Sequence, residues 1–216
     1  YNHRLCQTRQ GRHIFYKCMN ISSLLEQVPK VAVYIDANNF YKYLRSAGIS
    51  FPRGTKFNYS LFVDFLVANR SLVSKRFYAG IVQNIDNTEK SRSLVNSQRK
   101  FLNALDGEGF VIKGGRIMYD GNEIREKGTD IKIAVDLVIG AADKVYDVAI
   151  LVSSDTDLIP AIKYIKYLGK RLEYVGFQHS ASESITKKAD SSIYLTRVDI
   201  EKFKVAAENK DASIKV

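Results

Sequence analysis

Ile150-Leu151-Val152-Ser153-Ser154-Asp155-Thr156-Asp157-Leu158-Ile159-Pro160 is the stretch on which the reading of this chain turns. Its apolar half has the length and composition of a buried strand, and it breaks into hydroxyls and two aspartates before a helical pattern resumes. In an open α/β sheet ligands bind outside the carboxyl ends of the strands, so acids delivered there are available for chemistry. Taken alone, the segment has a blander account, because Ser154 or Asp155 also suits the cap of the following helix.

Working outward, residues 31–35 (Val-Ala-Val-Tyr-Ile) form another β-branched run, bounded by Pro29 and by Asp36-Ala37-Asn38-Asn39, and read as the first, central strand. Helical spacing follows to Gly48, and again over 58–68. A second strand lies within 72–82, chiefly in 77–82. Residues 88–105 read as a long helix with Leu94, Val95, Phe101, Leu102 and Leu105 inward. A third strand at 109–113 is punctuated by Gly114-Gly115. Residues 116–127 read as a charged, flexible loop beside the site, with a short hairpin at Asp120-Gly121.

Gly128-Thr129-Asp130 opens a helix whose core stripe is Ile131, Ala134, Val135, Val138, Ile139 and Ala142. Then come a fourth strand at 148–152, a helix at 158–168, a fifth strand at 172–175 ended by Gly176, a short helix within 180–189 and an edge strand at 193–195. This alternation predicts an α/β fold: three layers, with a doubly wound, mostly parallel sheet between helices. One domain is expected over 30–196. Residues 1–29 read as an extension, with 1–18 upstream of a start at Met19, and 197–216 as a charged, helical tail.

The 216 residues carry a net charge of +10, with 45% hydrophobic and 26% charged side chains. That is ordinary globular composition, and no apolar run approaches the roughly 20 residues that span a bilayer. A basic surface attracts polyanions, so nucleic acid is the first partner to consider. The two cysteines, Cys6 and Cys18, are too few for a disulfide framework or a disulfide-linked partner and fit a reducing, cytoplasmic setting. With His3 and His13 they sketch a zinc set, but the Cys6 to His13 spacing is short for a structural site.

Asp36, Asp130, Asp155 and Asp157 would gather if strands one and four were neighbours, as they are in a doubly wound order that reverses beside the first strand. Clustered carboxylates raise one another's pKa unless something compensates, and a divalent cation does so. Oxygen-only ligands suit Mg²⁺ or Mn²⁺. The chemistry this points to is metal-assisted hydrolysis of a phosphodiester. There is no Walker-type glycine loop and no nucleophile elbow, and His179 has no Ser or Cys motif beside it.

Three segments in this order, residues 34–39, 127–136 and 151–160, resemble the motifs of NYN domains of the LabA-like group, relatives of PIN-type nucleases; residues 169–176 fit as well. The resemblance covers about residues 30–196. It implies a PIN-like, Rossmann-like sheet, a Mg²⁺ or Mn²⁺ site and ribonuclease activity. It carries catalytic roles onto Asp36, Asn39, Asp130, Asp155 and Asp157, with the four aspartates as metal ligands and Asn39 orienting a ligand or phosphate. Asp136 also matches, but six residues turn it about 120° from Asp130 on a helix, so it is read as a supporting residue with Ser153 and Ser154. An ion pair with Lys132 is the plainer account of Asp136.

The third motif departs from the usual Ser-Gly-Asp-Ser-Asp-Phe pattern: Ser154 replaces the glycine and Leu158 the phenylalanine. A glycine can serve a close approach or a positive φ, which makes Ser154 the residue in need of explanation. RNA contacts are expected at Lys90, Arg92, Arg99 and Lys100 on the long helix and at Arg116 and Lys127. Two other readings stay open: a PIN-like module that binds RNA or a regulatory protein without cutting, and a DNA-directed flap-type nuclease. Self-association also stays open.

Overall fold

The computed structural model describes residues 28–51, 55–84, 87–120 and 123–206. Cys6, Cys18, His3 and His13, the proposed start at Met19 and the end of the tail lie outside them. In chain order the elements are β1 (Lys30–Asp36), α1 (Ala37–Ser46), β2 (Thr55–Phe57), α2 (Tyr59–Val67), β3 (Ser71–Ile81), α3 (Glu89–Gly107), β4 (Val111–Asp120), β5 (Glu123–Lys127) and α4 (Thr129–Ala142). They continue with β6 (Val148–Val152), a 3₁₀ turn (Thr156–Leu158), α5 (Ile159–Tyr167), β7 (Arg171–Phe177), α6 (Glu183–Thr186), β8 (Ser191–Leu195), α7 (Arg197–Glu201) and β9 (Lys204–Ala206).

Seven strands form one sheet in the order β5-β4-β3-β1-β6-β7-β8, parallel throughout except for the β4–β5 hairpin. The first strand is therefore flanked by β3 and β6, as the doubly wound reading requires. Strand alternation divides its side chains between two cores. Val31, Val33 and Ile35 join Val148, Ile150 and Val152 beneath α1 and α2, while Ala32 and Tyr34 join Ala149 and Leu151 beneath α4 and α5. No helix among the described residues is long and apolar enough to cross a membrane.

The second core is unusual in its floor of buried tyrosines, Tyr34, Tyr78, Tyr146 and Tyr174. A buried phenol needs a partner. Tyr34 donates to the Asp136 carbonyl (3.4 Å), Tyr146 to the Leu137 carbonyl (2.7 Å) and Tyr78 to the Asp136 carboxylate (2.7 Å), so two rings fasten α4 to the sheet and a third fastens it to the loop that follows. Burial pushes all three hydroxyl pKa values up.

The inner face of α4 is rotated from the expected one: Ala134 and Val138 of the expected stripe pack against this second core, but its other members are exposed. Ile133, Leu137, Gly140 and Ala141 are buried, whereas Ile131, Val135 and Ile139 are exposed. The helix carries two overlapping apolar stripes. On the buried stripe Gly140 allows the close approach of Tyr146, whose ring a Cβ there would meet at 2.7 Å.

Other differences have local causes. Leu94 is exposed and Val95 only partly covered, so α3 lies on the sheet mainly through Phe101, Leu102 and Leu105. Strand β4 runs through Gly114-Gly115, and the expected loop at 116–127 is the ladder of β4 with β5. Among the described residues of the tail Arg197–Glu201 is helical, and Lys204–Ala206 then pairs antiparallel with β2.

The rotated inner face of α4 has a direct test. Leu137→Ala should cost about 3 kcal/mol in urea denaturation, as a cavity in a packed core does. Ile139→Ala, at a residue 51% exposed, should cost less than about 1 kcal/mol.

Candidate functional site

The reversal of strand order beside β1 leaves a crevice at the carboxyl ends of β1 and β6. A cleft of about 210 Å³ opens there, lined by Asp36, Asn38, Asn39, Lys42, Glu126, Thr129, Asp130 and Asp155. Three stretches far apart in sequence supply it: the β1–α1 junction with the first turns of α1, the β5–α4 junction and the turn after β6.

Asp36 is the last residue of β1 and the cap of α1, where it accepts the Asn39 backbone N–H at 3.1 Å through Oδ1. Its Oδ2 accepts the Ser153 hydroxyl at 2.9 Å. Only 3% of the residue is exposed. Burial pushes its pKa up from 3.8 to about 6; those two hydrogen bonds offset part of the rise, while Asp130 and Glu126 add to it.

From Ser153 the bonds run on through the turn. Ser153 Oγ accepts the Asp155 N–H at 3.2 Å, and Asp155 Oδ1 accepts the Asp157 N–H at 2.9 Å. Asp155 is thus both the cap of the 3₁₀ turn and a wall of the cleft, so the two accounts of the segment hold together. Across the crevice, Asn39 Oδ1 accepts the Ser154 N–H at 3.0 Å, which fixes the turn after β6 to α1.

Ser154 needs no glycine geometry: the non-glycine residues with positive φ among those described are Ala68, Asn87 and Lys144. Its hydroxyl instead bonds the buried Tyr174 hydroxyl. Leu158 is fully buried in the second core.

Asp130 stands in the first turn of α4, whose N-cap is Gly128 at φ 86°, a left-handed conformation in which glycine is at ease. Burial raises the Asp130 pKa, and Asp155 and Asp157 raise it further. Asp157 is exposed and acts on the cleft from outside its lining.

Asp136 faces elsewhere. Its carboxylate pairs with Arg76 at 2.8 Å, lies 3.9 Å from Lys113 and accepts from Tyr78, which makes it part of the fastening of α4. The expected pair with Lys132 does not form; Lys132 donates to the Gly114 carbonyl.

The bases expected to meet RNA separate into two groups. Arg116 and Lys127 are opposite each other in the β4–β5 ladder, one residue before Gly128, and both are exposed. On α3, Lys90 and Lys100 are exposed, but Arg92 is turned to the Asn87 carbonyl (2.7 Å) and Arg99 borders an apolar groove with Leu102 and Ile112. None of these six lines the cleft; among the described residues lining it, the base is Lys42.

Sequence reasoning passed over Lys42, Asn38, Thr129 and Glu126. The first two sit within the Asp36-Ala37-Asn38-Asn39 segment and its helix, so their nearness was available from spacing. Glu126 was hidden in a segment taken for a loop. Its Oε1 accepts the Thr129 hydroxyl, its Oε2 is buried without a hydrogen-bond partner, and burial raises its pKa.

The groups there that could ligate an ion offer oxygens, from carboxylates, amides and a hydroxyl, the kind that a hard divalent cation accepts. An orphaned buried carboxylate oxygen in the wall adds to that fit. No three acidic, histidine or cysteine side chains among the described residues close on one point. A cation here would complete its shell with water and substrate oxygens.

Metal-free stability should report the buried acid. Between about pH 4 and pH 6 the folded protein holds on Asp36 a proton that the unfolded chain releases, so stability falls as pH rises through this window and levels off above it. Urea midpoints measured in chelator should show that decline, and Asp36→Asn should flatten it.

Comparisons with known proteins bear on family and fold. No curated protein matches the sequence significantly. A solved Vibrio parahaemolyticus protein of unknown function, VPA0982, is similar over 80% of this chain and 96% of its own, at TM-score 0.60 and 23% identity, a likeness of fold. The NYN domain model matches residues 30–196. That span includes every strand of the seven-stranded sheet and every residue lining the acidic cleft, and on this ground the chain belongs to the NYN domain family, a PIN-like family of nucleases.

Proposed function

We propose that the protein is a Mg²⁺- or Mn²⁺-dependent ribonuclease and that residues 30–196 are its catalytic unit. The observation that carries the reading is the meeting of Asp36, Asp130 and Asp155 in one cleft at the switch point of the sheet, with Lys42 beside them. Acids of like charge gathered at a ligand-binding crevice have no structural use that a cap or an ion pair would not serve at less cost.

When bound, a divalent cation polarises the scissile phosphoryl group and makes a water more acidic. The chain's own residues prepare the rest. Asp36 and Asp155 would hold the ion, with Asp130 and Asp157 beside it. Ser153 keeps the Asp36 carboxylate in place by donating to Oδ2. Asn39, held by the Ser154 N–H, orients a phosphate, and Lys42 neutralises its charge. Arg116 and Lys127 receive the flanking backbone of the RNA, whose path follows the β4–β5 hairpin into the cleft.

Labelled single-stranded RNA incubated with Mn²⁺ should be cleaved, and chelator, Asp36→Asn or Asp155→Asn should abolish cleavage. Undiminished cutting by both purified variants would overturn the reading; tight RNA binding without cutting would favour the binding module, and preference for a DNA flap the DNA-directed enzyme. Replacing Arg116 and Lys127 together by Ala should lower the salt slope of RNA binding by roughly 1.4, at about 0.7 per single-strand phosphate contact.

A further inference from the structure

Glu126 stands out among the cleft residues because two other strands make room for it. Gly80 of β3 and Gly115 of β4 are partners in register, on the sheet face covered by α4. A Cβ on Gly80 would lie 2.9 Å from Glu126 Cδ, and a Cβ on Gly115 would lie 2.7 Å from Glu126 Oε1 and 2.1 Å from Thr129 Oγ1. Contacts under 3 Å do not occur, so any side chain at either position would displace the carboxylate. The paired glycines form a slot, and the Glu126 side chain fills it from the hairpin above.

What the slot holds is not a satisfied structural group. Thr129 occupies one oxygen and the other is buried and unpartnered, in a residue that lines the cleft with Asp36, Asp130 and Asp155. No ion pair to Glu126 forms among the described residues. A buried carboxylate oxygen without a donor costs several kcal/mol relative to one in water. A glutamate kept so, when Gln would satisfy Thr129 equally, points to a positive ligand that arrives from the cleft.

We propose that Glu126 is a ligand of the cation held in this cleft, binding through Oε2 and sharing the ion with Asp36; this rests on the cation-dependent reading above. Thr129 is then a positioning residue, which turns the carboxylate so that Oε2 faces the cleft. The β4–β5 hairpin, an edge element, thereby becomes part of the cation site and carries Arg116 and Lys127 with it.

Mn²⁺ titrations of the full chain followed by electron paramagnetic resonance test the assignment without reference to activity. Glu126→Gln keeps the shape and the acceptor for Thr129, and it should weaken Mn²⁺ binding at least tenfold, as should Asp36→Asn. In chelator Glu126→Gln should melt no lower than the parent protein, and Mn²⁺ should raise its melting temperature by less. Glu126→Asp, which keeps the charge on a shorter arm, should fall between. Parent-like Mn²⁺ affinity in Glu126→Gln, with affinity lost in Asp36→Asn, would overturn the role of Glu126 alone. Parent-like affinity in both would overturn the cation site itself. A loss of chelator-phase stability equal to the loss of affinity would mark Glu126 as structural and likewise overturn the proposal.

Discussion

A carboxylate that ends the central strand and is almost wholly withdrawn from water is the constraint on which the rest depends. Asp36 continues the alternation of Ala32 and Tyr34, so it points to the face covered by α4 rather than to solvent. Keeping it there requires donors from both sides: the first turn of α1 gives the Asn39 N–H and the end of β6 gives the Ser153 hydroxyl. Asn39 is fixed in turn by the Ser154 N–H, and Ser154 by Tyr174. The arrangement is a pre-set charge in a dry place, the condition under which electrostatic stabilisation is strongest.

The same face of the sheet solves a second problem with the same chemistry. Tyrosine rings fill the space beneath α4, and their hydroxyls find carbonyls and the Asp136 carboxylate on the helix. Asp136 is held by Arg76 and lies near Lys113, so one acid of the helix is neutralised by strands β3 and β4. Asp130, six residues earlier, has no such pairing among the described residues, and burial pushes its pKa up. One helix thus carries a structural acid and a cleft acid, separated by its own periodicity.

Much of this was legible in the chain. Two β-branched runs each ending in serine or aspartate placed Asp36 and Asp155 at strand ends, and the alternation of elements placed those strands side by side. Less legible were features that depend on partners from elsewhere. The apolar pattern of α4 offers two stripes, and the one that packs with the tyrosines of β1 and of the loop after α4 holds Leu137 rather than Ile139. Gly114-Gly115 looked like a strand end because glycine weakens strands; Gly115 is in fact the floor beneath Glu126. Glu126 itself sat in a charged segment with a turn signal, and nothing local marks it as buried. The pairing of Lys204–Ala206 with Thr55–Phe57 joins segments whose short length gives almost no periodicity to read.

The distance along the chain between the two halves of the Asp36–Ser153 bond, 117 residues, has a further meaning. The neighbours of β1 are one strand that follows soon and one that comes after α4, so the crevice closes only when the late strand inserts beside the first. Non-local parallel pairing is slow, because chain entropy is lost before contacts repay it. On a ribosome, β1 would emerge with its carboxylate exposed and wait for most of the domain before that acid is buried. The acids of the cleft are brought together only once β6 lies beside β1.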